Sequence, residues 1–253
     1  MHLEIHNSYE ELCLFTSNYI VKRVNDFSPN KDKPFVLSLP TGSSPLGVYK
    51  NIISAYKEGI ISFKNIVTFN LDEYIGIRGD HPQSYKRFMY DNLFSHIDIP
   101  KENTHIPDGM ASNGKAECLA YEEAIKSAGG IDLLLGGIGV NGHIAFNEPG
   151  TPPDSRTRVQ LLDTETIKSN ARFFDGDMEK VPSAAITMGI ATIFEAREII
   201  IIVSGSAKAK ALKDAVEGNI DAMCPLSLLQ NHPNAMIVCD SEAAWQLKNK
   251  GSM

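Results

Sequence analysis

Short, unbroken apolar runs recur along the chain, separated by longer stretches in which apolar residues return every three or four positions. The runs at 35–39 (FVLSL), 66–71 (IVTFNL), 131–135 (IDLLL), 185–189, 198–203 and 235–238 predict buried strands, because they are strand-length and rich in branched residues. Between them the spacing predicts helices. One covers 45–56, with Ser44 as N-cap and Pro45 at the first helical position. A second covers 84–94, with Tyr85, Phe88, Met89 and Leu93 on one face. A third covers 117–128 and is ended by Gly129 and Gly130. The spans 207–216 and 242–248 predict two more.

Strands alternating with helix-length segments imply right-handed βαβ crossovers. The expected fold class is α/β: one domain over 1–253, with an open, mainly parallel sheet and helices on both faces, in the Rossmann-like manner. The stretch 150–182 breaks the rhythm, being long, polar and rich in Arg and Asp. An excursion of that kind in an α/β domain is expected to act as a lid or binding segment.

Composition narrows the partners. Asp plus Glu is 31 against 24 Lys plus Arg, a net charge of −7, which argues against a nucleic-acid partner. A small anionic substrate stays compatible, since two or three local donors suffice. Cys13, Cys118, Cys224 and Cys239 form no C-x-x-C pair and read as small buried residues rather than disulfide or zinc ligands. The beginning of the chain has no signal-peptide pattern, and no apolar run reaches 18 residues, so a cytoplasmic protein with no membrane contact is expected.

Open parallel sheets bind ligands beyond the carboxyl ends of their strands, so the residues just after each strand carry the candidate chemistry. Thr41-Gly42-Ser43-Ser44 joins a strand to a helix start. There backbone N–H groups and the helix dipole favour an anion, although a plain βα turn would look the same. Asp72 follows the 66–71 run and suits a general base, or equally a helix cap or surface ion pair. Its neighbour Glu73 reads as structural.

The stretch GGIGVNGHIAFNEP (136–149) is the most informative. Its glycines allow close backbone approach, and His143 is its one side chain that titrates near neutral pH. Glu148 lies five residues on. A dinucleotide reading fails, because the acidic partner expected about 20 residues beyond the glycines is absent. A serine-hydrolase elbow and a metal set are both missing, so no metal is expected. Lys208, one turn into the helix after 198–203, could reach a phosphate.

Those blocks, taken in order, resemble the glucosamine-6-phosphate deaminases, also called glucosamine-6-phosphate isomerases. The resemblance rests on LPTGSSPLGVYK, FNLDEYIGI, HPQSYKRFM, GGIGVNGHIAFNEPG, SRTR, NARFF, SGSAKAKAL and HPNAMIVCD, and it spans nearly the whole chain. It implies conversion of D-glucosamine 6-phosphate and water to D-fructose 6-phosphate and ammonia in amino-sugar catabolism, by an enzyme without cofactor. It assigns ring opening to His143, with Glu148 and Asn141 orienting it, and C2–C1 proton transfer to Asp72. It assigns phosphate binding to Thr41, Gly42, Ser43, Ser44, Arg172 and Lys208. Many relatives carry Asp where this chain has Asn141, whose carbonyl is expected to accept from the imidazole without adding charge. Regulated members bind an activating N-acetylglucosamine 6-phosphate with positions matching Thr151 and Arg158 and a Lys matching Gln160. The glutamine therefore implies weak activation. A homo-oligomer is compatible with the resemblance. Two other readings share the expected fold: a 6-phosphogluconolactonase-like hydrolase, and a sugar-phosphate-sensing module without chemistry.

Overall fold

The computed structural model describes residues 1–248. Its elements in chain order are β1 (His2–His6), α1 (Tyr9–Phe27), β2 (Phe35–Leu39), α2 (Leu46–Lys57), β3 (Ile66–Asn70), β4 (Asp72–Tyr74), α3 (Tyr85–Asn92), β5 (Thr104–His105) and α4 (Gly114–Ser127). There follow β6 (Leu133–Gly137), β7 (Arg158–Leu161), α5 (Thr164–Asn170), β8 (Ala184–Thr187), α6 (Ile190–Phe194), β9 (Ile199–Val203), α7 (Ala209–Glu217) and β10 (Ala235–Asp240).

Seven strands form one parallel sheet in the order β1-β10-β9-β6-β2-β3-β5. The side-chain period of two divides each central strand between two cores. Phe35, Leu37 and Leu39 of β2, Leu133 and Leu135 of β6, and Ile200 and Ile202 of β9 face α1, α2 and α3. Val36, Leu134, Ile199, Ile201 and Val203 face α4, α6 and α7. Strands covered on both faces must be apolar throughout, which is why they read as continuous runs. The expected α/β fold class is the observed one. Among the described residues no helix is long and apolar enough to cross a membrane.

Several expectations need correction. The chain's first elements, β1 and α1, fall outside the predicted set. Ser8 caps α1 by accepting from the Glu11 N–H, and Ser28, at φ 53°, ends it. The span 66–71 does not run on as one strand. The chain breaks at Leu71, and Asp72–Tyr74 joins a second, antiparallel three-stranded sheet in the order β4-β8-β7. The 185–189 run belongs to that small sheet rather than to the large one. The span 242–248 holds only a 3-10 turn, Ala243–Gln246.

The 150–182 excursion carries β7 and α5. It closes a small core of its own from Tyr74, Phe146, Leu162, Ala171, Phe174, Val181 and Ala185. Ser44 does not cap α2. The N-cap is Pro45, without a side-chain bond, and the Gly47 N–H is instead satisfied by the Tyr9 hydroxyl at 2.9 Å. That same hydroxyl donates to the Ser44 carbonyl at 2.9 Å, so α1 holds the 40–45 turn in place.

Candidate active site

Strand order dictates where a cleft opens. From β2 the chain crosses to β3 and β5 on one side, while β6 lies on the other side and leads to β9 and β10. The loops leaving β2 and β6 therefore part, and at such a switch point a crevice forms beyond the strand ends. A cleft of about 490 Å³ lies there. Its walls take Thr41, Gly42 and Ser44 from the turn after β2, Asp72 from β4, Gly137 from the end of β6, and 138–141 and His143 from the loop that follows. Lys208 comes from the turn after β9, and Thr166, Lys168, Asn170 and Arg172 come from the excursion.

Nine of the ten candidate residues gather here. Glu148 stands behind His143 rather than on the wall. Ser43 does not join them and instead faces a separate depression with Tyr9, Leu46 and Lys50. Lys208 is not inside a helix: it closes the 3-10 turn Ser206–Lys208, with α7 starting at Ala209.

Asp72 and Glu73 illustrate how a strand separates two neighbours, since successive side chains point to opposite faces. The Glu73 carboxylate accepts from the Ser84 hydroxyl at 2.7 Å and from the Tyr85 and Lys86 N–H groups at 3.0 Å. It is thus consumed as an anion at the N-terminus of α3. Asp72 faces the cleft with only 8% of its surface exposed. Burial pushes its carboxyl up to about 8, with the Glu73 charge adding to the rise. A poised carboxyl of this kind, in a cleft, is a candidate proton acceptor.

Across the cleft, the loop after β6 turns sharply. Gly139 lies under the imidazole: a Cβ there would sit 2.1 Å from the ring of His143, so only glycine leaves room for it. His143 Nδ1 lies 3.3 Å from Glu148 Oε2, and no closer partner satisfies that nitrogen. The Asn141 amide donates to Glu148 Oε2 at 2.8 Å, and its carbonyl accepts from the His143 backbone N–H at 3.3 Å. The expectation that Asn141 would accept from the imidazole is therefore corrected. Gly142, at φ 87°, turns the chain between them, so Asn141 acts on the ring through Glu148. Burial alone would raise the Glu148 carboxyl. His143 outweighs it, helped by bonds from Thr166 and Asn141, and holds the group down to about 2.

The third feature is cationic. Burial lowers the Lys208 ammonium, and the neighbouring Arg172 charge adds to the shift. Two adjacent cations, one partly desolvated, fit an anion between them. Arg172 rests on the Phe173 ring at 4.6 Å. Sequence reasoning missed Lys168, Thr166 and Asn170, all on α5. Thr166 donates to Glu148 Oε1 at 2.6 Å, and Asn170 donates to the Tyr74 hydroxyl at 2.8 Å. No local spacing pointed to them, because their partners lie 18 and 96 positions away. Among the described residues, no three His, Cys, Asp or Glu side chains are grouped to hold a metal.

Fold and cleft together define an α/β protein with a carboxyl, an imidazole–carboxylate pair and two adjacent cationic side chains beyond its strand ends. The chain belongs to the family of glucosamine-6-phosphate isomerases and 6-phosphogluconolactonases, whose model matches residues 7–238. Over 248 residues it is 51% identical to the glucosamine-6-phosphate deaminase of Parabacteroides distasonis, covering 98% of this chain and 92% of that one. It is 54% identical to the protein of the same name from Treponema denticola over 250 residues, covering 99% and 93%. A solved glucosamine-6-phosphate deaminase described as monomeric superposes with a TM-score of 0.92 at 40% identity, over 97% of this chain and 99% of that one. The 6-phosphogluconolactonase of Trypanosoma brucei shares the fold, with a TM-score of 0.74 at 21% identity over 97% and 98%.

Proposed function

We propose that this chain converts D-glucosamine 6-phosphate and water to D-fructose 6-phosphate and ammonia, with residues 1–253 acting as one catalytic unit. One observation carries the reading. A carboxyl whose protonated form is favoured by burial faces the same cleft as an imidazole backed by a carboxylate, and Arg172 and Lys208 line that cleft too. Support also comes from the deaminase names of relatives about half identical over almost the full length.

Arg172 and Lys208 hold the phosphate, with Thr41, Gly42 and Ser44 donating from the turn before α2. Ser43 lines the neighbouring depression rather than this cleft, so its hydroxyl has no part in this reading. His143 then moves a proton from the anomeric hydroxyl to the ring oxygen, which opens the ring to the aldehyde. Glu148 keeps the imidazole oriented and stabilises it while it carries the proton, with Asn141 holding Glu148. Asp72, ionised, takes the proton from C2; the C–H electron pair forms the C1–C2 double bond while the C1=O pair moves to O1, which takes up a proton from water, giving an enolamine. The same carboxyl returns the proton to C1, the C1–C2 pair forms the new C–H bond, and the nitrogen lone pair forms C2=N. The resulting ketimine at C2 adds water and expels ammonia, leaving the ketone.

Hydrolysis of a lactone breaks no C–H bond and needs no carbon-acid base, which favours the deaminase over the hydrolase. Every residue invoked belongs to one chain, so this chemistry requires no second copy. The test is incubation of the purified protein with D-glucosamine 6-phosphate while fructose 6-phosphate and ammonia are both assayed. Equimolar appearance of the two is expected. Tight binding without either product would sink the proposal in favour of a sensing module.

A further inference from the structure

The Glu148 carboxylate is held from both ends. Oε2 takes the Asn141 amide at 2.8 Å and faces His143 at 3.3 Å, both on the loop after β6. Oε1 takes the hydroxyl of Thr166 at 2.6 Å, and Thr166 belongs to α5 on the excursion. Lys168 and Asn170 follow on α5, and Arg172 stands in the 3-10 turn that continues it. One short segment therefore touches the carboxylate behind the imidazole at one end and carries the phosphate-binding arginine at the other.

We infer that Thr166 is a positioning residue: its hydroxyl fixes the Glu148 carboxylate toward His143 and ties that orientation to the placement of α5. The inference deepens the functional reading and rests on it only for its kinetic part. A carboxylate held by one oxygen can rotate about its last carbon–carbon bond, which has a broad torsional well. With Oε1 bonded to Thr166 that rotation is stopped, and Oε2 stays aimed at the ring. A small misplacement of a group supporting an acid–base residue lowers turnover more than substrate binding. The titratable group facing Glu148 is His143. Asn141 and Thr166 are neutral.

Two readouts test this. The first needs no activity: amide hydrogen exchange over residues 164–170. Thr166→Val removes the bond from one end and Glu148→Ala from the other. Both should speed exchange in that stretch by a similar factor, and the double variant should add nothing. A threonine that merely packs locally would not respond to a change at Glu148, so unchanged exchange in Glu148→Ala would overturn the inference. The second is kinetic. Thr166→Val should lower kcat about tenfold with KM changed less than about twofold, and Thr166→Ser should restore it. A fully active Thr166→Val enzyme would likewise overturn the inference. A wild-type protein that forms no fructose 6-phosphate would instead refute the functional reading, and the exchange measurement would still decide the role of Thr166.

Discussion

Replacing Asp72 by Asn keeps the side chain's size and removes its charge, and the structure assigns that change two opposite effects. The first is on turnover. With its carboxyl at about 8, Asp72 in the free enzyme is ionised only to about a tenth at pH 7. The wild-type kcat/KM for fructose 6-phosphate formation should therefore climb roughly tenfold between pH 7 and pH 9. Asn cannot accept the C2 proton, so turnover should fall by at least about 10²-fold, and exchange of the C2 hydrogen with deuterated solvent should cease.

The second effect is on stability. The carboxyl binds its proton more tightly folded than unfolded, because its ordinary value is 3.8. The fold is thus penalised progressively as pH rises from about 4 to about 8, and the penalty is constant above that. A shift of this size corresponds to an upper bound on the order of 5 kcal/mol, and relaxation and water in the cleft reduce it to a few. Asp72→Asn escapes the penalty, so its melting temperature at pH 9 should exceed that of the wild type by roughly 5 °C or more, with the gap narrowing toward pH 5. Thermal melts across that range, run beside the exchange assay, give both answers on one preparation. A variant that still exchanges the C2 hydrogen, or that melts below the wild type at pH 9, would refute the reasoning.

Arg172→Ala and Lys208→Ala should each raise KM for D-glucosamine 6-phosphate at least about tenfold, the scale of a lost charge-assisted contact. Steady-state kinetics with glucosamine as the control checks this, since equal turnover of the unphosphorylated sugar would contradict a phosphate role. Gly139→Ala places a methyl where the His143 ring now lies, so kcat should fall roughly 10²-fold with the melting temperature within a few degrees of wild type. Arg158 is already bonded to Asn147 Oδ1 at 2.8 Å and Gln160 Oε1 at 3.2 Å, and Gln160 brings no charge. Rate curves should accordingly be hyperbolic and unmoved by N-acetylglucosamine 6-phosphate. Sigmoidal curves straightened by that ligand would show that other residues build the activator site.

What the sequence carried openly was whatever local spacing encodes. The doubly covered strands announced themselves as apolar runs, and Asp72 and His143 stood out because they follow such runs. The features that stayed hidden depend on contacts between distant positions. The start of α2 is capped by Tyr9, 38 positions before Gly47, so the local Ser-Pro pattern pointed to the wrong residue. Helix α1 buries Thr16 and Ser17 among Leu12, Ile20 and Val24, and those polar residues blur its apolar stripe. Asn141 lies two positions from His143, yet a glycine turn sends its amide to Glu148 instead. The polar excursion offered no period to follow, which hid Thr166, Lys168 and Asn170.

The break at Leu71 separates two inheritances. Thr41, Gly42, Ser44 and Lys208, which would meet the phosphate, ride on loops of the seven-stranded sheet, and so does His143. Asp72 stands on β4 of the small sheet, and Thr166 and Arg172 stand on the excursion packed against it. The proposed carbon-acid base is thus mounted on a module distinct from the frame that carries Lys208 and the 41–44 turn, while Arg172 would reach the phosphate from the module's side. Replacing the module while keeping an arginine at 172 would change which bond is attacked and leave the phosphate contacts in place. A fold divided in this way can acquire a new reaction by remodelling one small antiparallel sheet, and a chimera exchanging only that sheet between family members is the natural starting point for redirecting its chemistry.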